Sequence, residues 1–203
     1  MRATYQLRGS LRAVTQPYLA SSVHVAGFAA AAKRLGLMEK VLPLLAPATR
    51  YVLDHPFDEK WVSAHVIQDL RQRIAEVHGA QVLDPLNFAM TKDSLGKLVT
   101  PMLRVALAIT GRSPATVFSR LGDTVKIAMQ GVTAKWTPQG ENAGRVTLSY
   151  PEPPPNVVHE AWRGVFRFGF ELTDREGSLV AHRYLDGGKT LELDVSWKES
   201  PKA

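Results

Sequence analysis

Cysteine is absent from this 203-residue chain. No disulfide can form, and no cysteine nucleophile, thiolate-bound zinc or iron–sulfur cluster can be built from it. The same absence fits a reducing compartment, and the chain is expected to be cytoplasmic. A long hydrophobic run is also missing. The longest apolar stretch, Val23 to Ala32, contains His24 and falls short of the roughly 20 residues that span a bilayer. Arg2, Arg8 and Arg12 precede no apolar segment before residue 18, so neither a secretory signal nor a membrane anchor is expected.

Clustered charge is lacking too. The net charge is +6, from 25 Lys and Arg against 19 Asp and Glu. Its carriers are dispersed, among them Arg34, Arg71, Arg104, Arg120 and Arg163, and no run of five basic residues occurs. No aromatic-rich strand offers a stacking platform for bases. Nucleic acid is therefore not the expected partner, the general electrostatic attraction being its only support. The six histidines, His24, His55, His65, His78, His159 and His182, never show the H-x-x-x-H spacing that aims two rings at one metal. No metal or cofactor is expected. A G-x-S-x-G elbow, a phosphate-binding loop and a dinucleotide glycine fingerprint are all missing.

What is present is a large apolar fraction, 45% of residues. A chain of this length buries roughly 70% of the surface that its unfolded form exposes. A single domain over residues 1–203 is expected, mainly helical over 1–122 and β-β-α-β-β over 123–198. Residues 4–14 admit a short strand. The alanine-rich stretch from Val23 to Leu35 reads as a helix capped by Gly36. Pro43 and Pro47 break the next segment into short helical turns, and Asp58 is placed to cap a helix entered at Trp61. Val62, Val66, Leu70, Ile74 and Val77 then recur at spacings of three and four. Two further helices are expected, over Pro85–Thr91 and Ser94–Ile109. Ser113-Pro114 signals the start of another, which carries Phe118 and Leu121 and ends at Gly122.

After Asp123 the apolar period changes from 3.6 to 2. Val125, Ile127 and Met129 alternate, and Val132, Ala134 and Trp136 continue with opposite parity, a shift that a bulge or bend at Gly131 would reconcile. Val146, Leu148 and Tyr150 form the returning strand. A proline-rich stretch, Pro151 to Pro155, leads into a helix over Asn156–Leu172 with two apolar lines, so it is expected to be buried on more than one side. Leu179–Tyr184 and Leu191–Trp197 close the chain as strands around an Asp186-Gly187-Gly188 turn. The fold class is α+β: N-terminal helices packed on a C-terminal four-stranded antiparallel sheet.

Two residue pairs have the chemistry of an acid–base dyad. His65 and Asp69 lie four apart on one helix, and His159 adjoins Glu160 after the proline run. Each pair also has an ordinary role, as a helix-surface hydrogen bond or as a favourable charge in a first turn. Aromatic residues concentrate late in the chain. With Leu103, Leu107 and Phe118, the rings of Trp136, Trp162 and Phe166 would wall an apolar ligand cavity, or fill an aromatic core. Gly164 and Gly169, without a following Lys-Ser/Thr, are read as close-packing glycines.

Leu121-Gly122 before the sheet, the strand ending at Tyr150, Gly164-Val165 in the following helix and a last strand finishing on Trp197 together resemble the vinyl-reductase-like and haem–nitric-oxide-binding superfamily. They are also similar to a myxobacterial paralogous family of unknown function. The resemblance covers roughly Leu95 to Trp197. It implies a sensor fold with a pocket between helices and sheet. The haem-binding members carry Tyr-x-Ser-x-Arg, whereas Tyr150 is followed here by Pro-Glu-Pro-Pro, without the serine or the arginine. The effector-sensing members hold zinc with cysteines, which this chain lacks. The expected function is a non-enzymatic sensory or interaction module that binds a small apolar ligand, a partner protein or a second copy of itself. The alternative is a small hydrolase or lyase working through His159 with Glu160 or His65 with Asp69.

Overall fold

The computed structural model describes residues 17–95 and 113–198, together with Val105 and Leu107. Ser21 accepts a hydrogen bond from the His24 amide at 3.2 Å and so caps α1 (Ser22–Arg34). Gly36 follows that helix with a φ of +71°, a conformation open to a residue without a Cβ. Pro43 and Pro47 each sit in a first turn, where a missing N–H costs nothing. They divide the next segment into a 3-10 turn (Leu42–Leu44) and α2 (Pro47–Asp54).

The helix expected from Trp61 starts later. Trp61–Ser63 is a strand, β2, paired antiparallel with β1 (Leu19–Ser21), and α3 runs from His65 to His78 with Ala64 at its N-cap. Asp58 is therefore not the cap. Trp61 and Val62 carry the aromatic and β-branched side chains that suit a pleated partner, and the helical period begins only after them. α3 still buries Val66, Leu70 and Ile74 as the spacing predicts. α4 (Leu83–Met90) follows, then a single π-helical turn, Thr91–Leu95. The strand considered over residues 4–14, Leu103 and most of the helix expected over Ser94–Ile109 lie outside the described residues.

Ser113 caps α5 (Pro114–Ser119) by accepting from the Ala115 amide at 3.3 Å. The segment after it overturns the alternating reading. Leu121–Ala128 is a helix, α6, not a strand, and the preceding short helix ends at Ser119 rather than Gly122. Leu121, Val125 and Ala128, spaced four and three, form its buried face, while Ile127 is exposed. Val125, Ile127 and Met129 fit the period of a strand while Leu121, Val125 and Ala128 fit that of a helix, and burial of the helical face decides between them.

Met129–Gln130 (β3) completes a small sheet of order β2-β1-β3 that was not anticipated. The parity change at Gly131 is not a bulge within one strand but a passage between two sheets. Gly131 has a φ of +83°, and a Cβ there would meet the Pro17 carbonyl oxygen. β4 (Thr133–Pro138), β5 (Ala143–Ser149), β6 (Gly177–Leu185) and β7 (Thr190–Trp197) form the expected four-stranded antiparallel sheet in the order β4-β5-β7-β6. Alternation sorts its faces. Val146, Leu148, Leu191, Leu193 and Val195 point inward, and Arg145 on the outer face reaches Asp194 at 2.6 and 3.0 Å.

α7 (Val158–Leu172) links the two hairpins and buries residues on more than one side, among them Val158, Ala161, Phe166 and Phe170. It crosses α4 at Gly164, where a Cβ would strike the Asp84 carbonyl oxygen and the Phe88 amide nitrogen. A continuous apolar core joins the helices (Phe28, Ile67, Leu70) to the sheet (Leu148, Leu191, Leu193). Among the described residues, no helix is long and apolar enough to cross a membrane.

Candidate functional site

Three helices each turn one polar side chain into the protein. On α1, His24 shares a face with Phe28 and Ala31 and is 5% exposed. On α3, Arg71 falls between Ile67 and Ile74, at steps of four and three, and is 8% exposed. On α4, Asn87 has Leu83 and Met90 at the same steps and is fully buried. Helical spacing thus places each of them on the apolar face of its own helix. They line one cavity of about 50 Å³, with Val125 of α6, Trp162 of α7 and Tyr150 just after β5 among its other walls.

Protein partners do not exhaust the bonding capacity of these groups. Both ring nitrogens of His24, Nε of Arg71 and Oδ1 of Asn87 are buried without a hydrogen-bond partner among the described residues. Asn87 spends its amide on the Leu83 carbonyl oxygen at 2.8 Å, which fixes Oδ1 as the free acceptor. The Tyr150 hydroxyl accepts from Trp162 Nε1 at 2.9 Å. In folded proteins roughly nine in ten buried polar groups are paired, and each unpaired one costs about 1–3 kcal/mol. Four such atoms belong to residues that line one cavity, whose surface is otherwise mostly apolar.

The electrostatics are one-sided. Arg71 is a buried cation whose electrostatic neighbours are Tyr150 and Tyr18, not carboxylates. Its guanidinium also lies over the Phe28 ring, 5.7 Å from the centroid. Burial lowers Arg71 from its usual value, yet an arginine stays charged. Burial pushes His24 down to about 3, and the nearby Arg71 charge adds to the effect, so the imidazole is neutral. It therefore offers one donor and one acceptor. Burial likewise raises Tyr150 and Tyr18, keeping both hydroxyls protonated. The cavity has an excess positive charge.

The residues singled out from sequence are distributed differently. Trp162 lines the cavity. Phe118 sits at the centre of an aromatic cluster, its ring centroid 5.4 Å from Trp136 and 5.3 Å from Phe166, with Phe166 in turn 6.0 Å from Trp162. Phe118 and Phe166 border a smaller apolar space of about 40 Å³, and Leu107 is 5% exposed. His65 and Asp69 take separate partners. His65 Nδ1 meets Gln68 at 3.2 Å and Nε2 meets Glu152 at 3.1 Å, while Asp69 accepts from the Ala46 amide at 2.9 Å and pairs with Arg73.

His159 Nε2 lies 3.4 Å from Glu160, and its Nδ1 lies 2.9 Å from the Asn156 carbonyl oxygen. Its ring stacks on His182 at 3.8 Å. Burial, and then the His182 ring, lower the His159 pKa. Among the described residues, no group of three or more His, Asp or Glu side chains is arranged to hold a metal. Sequence reasoning passed over His24, Arg71 and Asn87. The signal for them was present: an ionisable or amide side chain at a helical step inside an apolar face.

No protein-family model matches this chain, and no curated protein matches it. Solved structures do. The Fe(II) unliganded H-NOX protein from K. algicida aligns with a TM-score of 0.64 at 9% identity, over 90% of this chain and 99% of that one. A point variant of Tt H-NOX aligns at 0.59 and 10% identity, over 90% and 97%. An oxygen-binding H-NOX domain related to soluble guanylate cyclases, solved as its oxygen complex, aligns at 0.55 and 10% identity, over 90% and 99%. At such identities the likeness is one of fold. The fold is that of the H-NOX domains.

That fold implies a haem, and the residues here do not fit one. A pocket for even a drug-sized ligand takes roughly 300–1,000 Å³, against the about 50 Å³ of the cavity beside His24. Tyr150 is turned inward onto Trp162, and the proline-rich stretch after it supplies neither a serine nor an arginine for propionate groups.

Proposed function

We propose that the chain is a non-enzymatic sensory module that keeps the H-NOX scaffold and binds a small polar ligand, not a haem, in the cavity beside His24, Arg71 and Asn87. The observation that carries this reading is that His24, Arg71 and Asn87 line one cavity and each has a buried polar atom without a partner among the described residues. The ligand differs in kind from the apolar one that the aromatic composition points to, because most of the rings pack on one another, and Trp162 is the member of that cluster that shares the cavity wall with His24, Arg71 and Asn87. The whole chain acts as one domain in this proposal. Occupancy is reported to a partner protein or a second copy through α4 and α7, the helices that cross at Gly164. Membership of the myxobacterial paralogous family rests on Leu121-Gly122, Tyr150 and Gly164-Val165 and is part of the proposal. The acid–base alternative has less support, since His65 and Asp69 take separate partners and His159 Nδ1 is held by the Asn156 carbonyl oxygen.

Titrating the purified protein with ferric haem and following the Soret absorbance tests the first half of this reading. The expected result is no saturable band. A sharp band that saturates at one haem per chain contradicts it. The second half is tested by thermal unfolding with small polar molecules. A stabilising compound is expected to raise Tm of the wild type and not of Val125→Phe, which fills the cavity; equal shifts in both proteins contradict a site there.

A further inference from the structure

The unpaired atoms around the cavity specify a chemistry as well as a location. Arg71 Nε is a charged donor without a carboxylate partner. Of the protein's 19 acidic residues, only Glu199 lies outside the described stretch. The guanidinium fork matches the two oxygens of a carboxylate, and a neutral His24 adds one further donor. The occupant is therefore an anion with a planar pair of oxygens. Asn87 adds the opposite demand. Its Oδ1 only accepts, and its amide is committed to Leu83, so the occupant must also carry an O–H or N–H donor.

Size and polarity narrow the class. At about 50 Å³ the cavity exceeds what a single water needs and falls far short of a drug-sized site, so its occupant is a small molecule. Much of the remaining wall is apolar, including Val125, Met129 and Ala161. A purely inorganic anion would leave those surfaces against charge. A short carbon chain would use them.

We infer that the cavity binds the anion of a short 2-hydroxy acid, of glycolate or lactate size, with its carboxylate on Arg71 and His24 and its hydroxyl donating to Asn87. This inference deepens the proposed function and rests on it. The hydroxyl gives the discrimination. A site that leaves a buried acceptor unpaired rejects the analogue lacking the donor, because the acceptor then remains desolvated without compensation.

Isothermal titration of the full chain, in a buffer free of carboxylates, tests it with L-lactate, glycolate, propionate, lactamide and bicarbonate. Lactate or glycolate is expected to bind roughly 10- to 100-fold more tightly than propionate, which lacks the hydroxyl, and than lactamide, which lacks the charge. Arg71→Met is expected to abolish lactate binding. Asn87→Leu is a second variant, independent of the charge, and is expected to equalise lactate and propionate. The proposal is overturned if propionate or lactamide matches lactate, if bicarbonate binds more tightly, or if no probe binds. Binding of one of those other probes that is lost in Val125→Phe would leave the cavity as a ligand site and remove only the hydroxy acid. Absence of binding by every probe would count against both.

Discussion

His24 shows how one side chain ties the cavity to a measurable property. In the folded chain it titrates near 3 instead of 6.5. The unfolded chain therefore takes up a proton between those values that the folded chain refuses. Stability falls as pH drops from 6.5 towards 3, while above 6.5 both forms are neutral and the residue adds no slope. The gap is worth up to about 5 kcal/mol, at 1.36 kcal/mol for each tenfold change in proton affinity. His159, also lowered by burial, acts in the same direction. His24→Phe is expected to flatten this acid limb and to leave stability near neutral pH unchanged or higher, since two ring nitrogens without a partner among the described residues are removed. Urea unfolding at a series of pH values checks it, and parallel profiles for the two proteins would contradict it. The sequence offers the same residue as a single histidine inside the apolar stretch Val23 to Ala32. Arg71 is harder to see, because counting charge places it among scattered surface cations. Only the register of α3, Ile67 to Arg71 to Ile74, turns it inward.

At the scale of elements, the α4–α7 crossing is the contact most open to a single substitution. Alanine at position 164 would gain about 1 kcal/mol of helix propensity over glycine. Its Cβ would also enter the space of the Asp84 carbonyl oxygen and the Phe88 amide nitrogen, backbone atoms that cannot rotate away. Overpacking of that kind costs about 1–3 kcal/mol, so the clash wins. Gly164→Ala is expected to destabilise by up to about 2 kcal/mol net, read as a lower urea midpoint with an unchanged slope. An unchanged or higher midpoint would show that the two helices separate easily.

Elements with long, consistent periods were legible, namely α1, the body of α3, α7 and the two late hairpins. Leu121–Ala128 was not, because its apolar residues fit a strand and a helix equally and only the partner surface chooses. The small sheet β2-β1-β3 was hidden for a different reason. Its strands are two or three residues long and come from three distant parts of the chain, so none carries a local pattern.

For the whole molecule, an H-NOX fold at about a tenth sequence identity sets scaffold and chemistry apart. The sheet and aromatic cluster supply the rigid half: Phe118, Trp136, Phe166 and Trp197 lie ring to ring, and β5 and β7 pair along their length. The helical half carries the buried polar groups, with α1, α3 and α4 each bringing one such residue to the lining of one cavity. A ligand held there binds the folded chain alone and stabilises it by about 2.7 kcal/mol at 100 times its Kd. In the proposed sensory role it would tie the three helices together, and that change would register occupancy.

The most direct test is the electron density inside this cavity in crystals of the purified protein grown with lactate. Density for a bound organic anion within hydrogen-bond reach of His24, Arg71 and Asn87 is the predicted result. Density for ordered water alone at those three side chains, or a haem between the helices and the sheet, would contradict it.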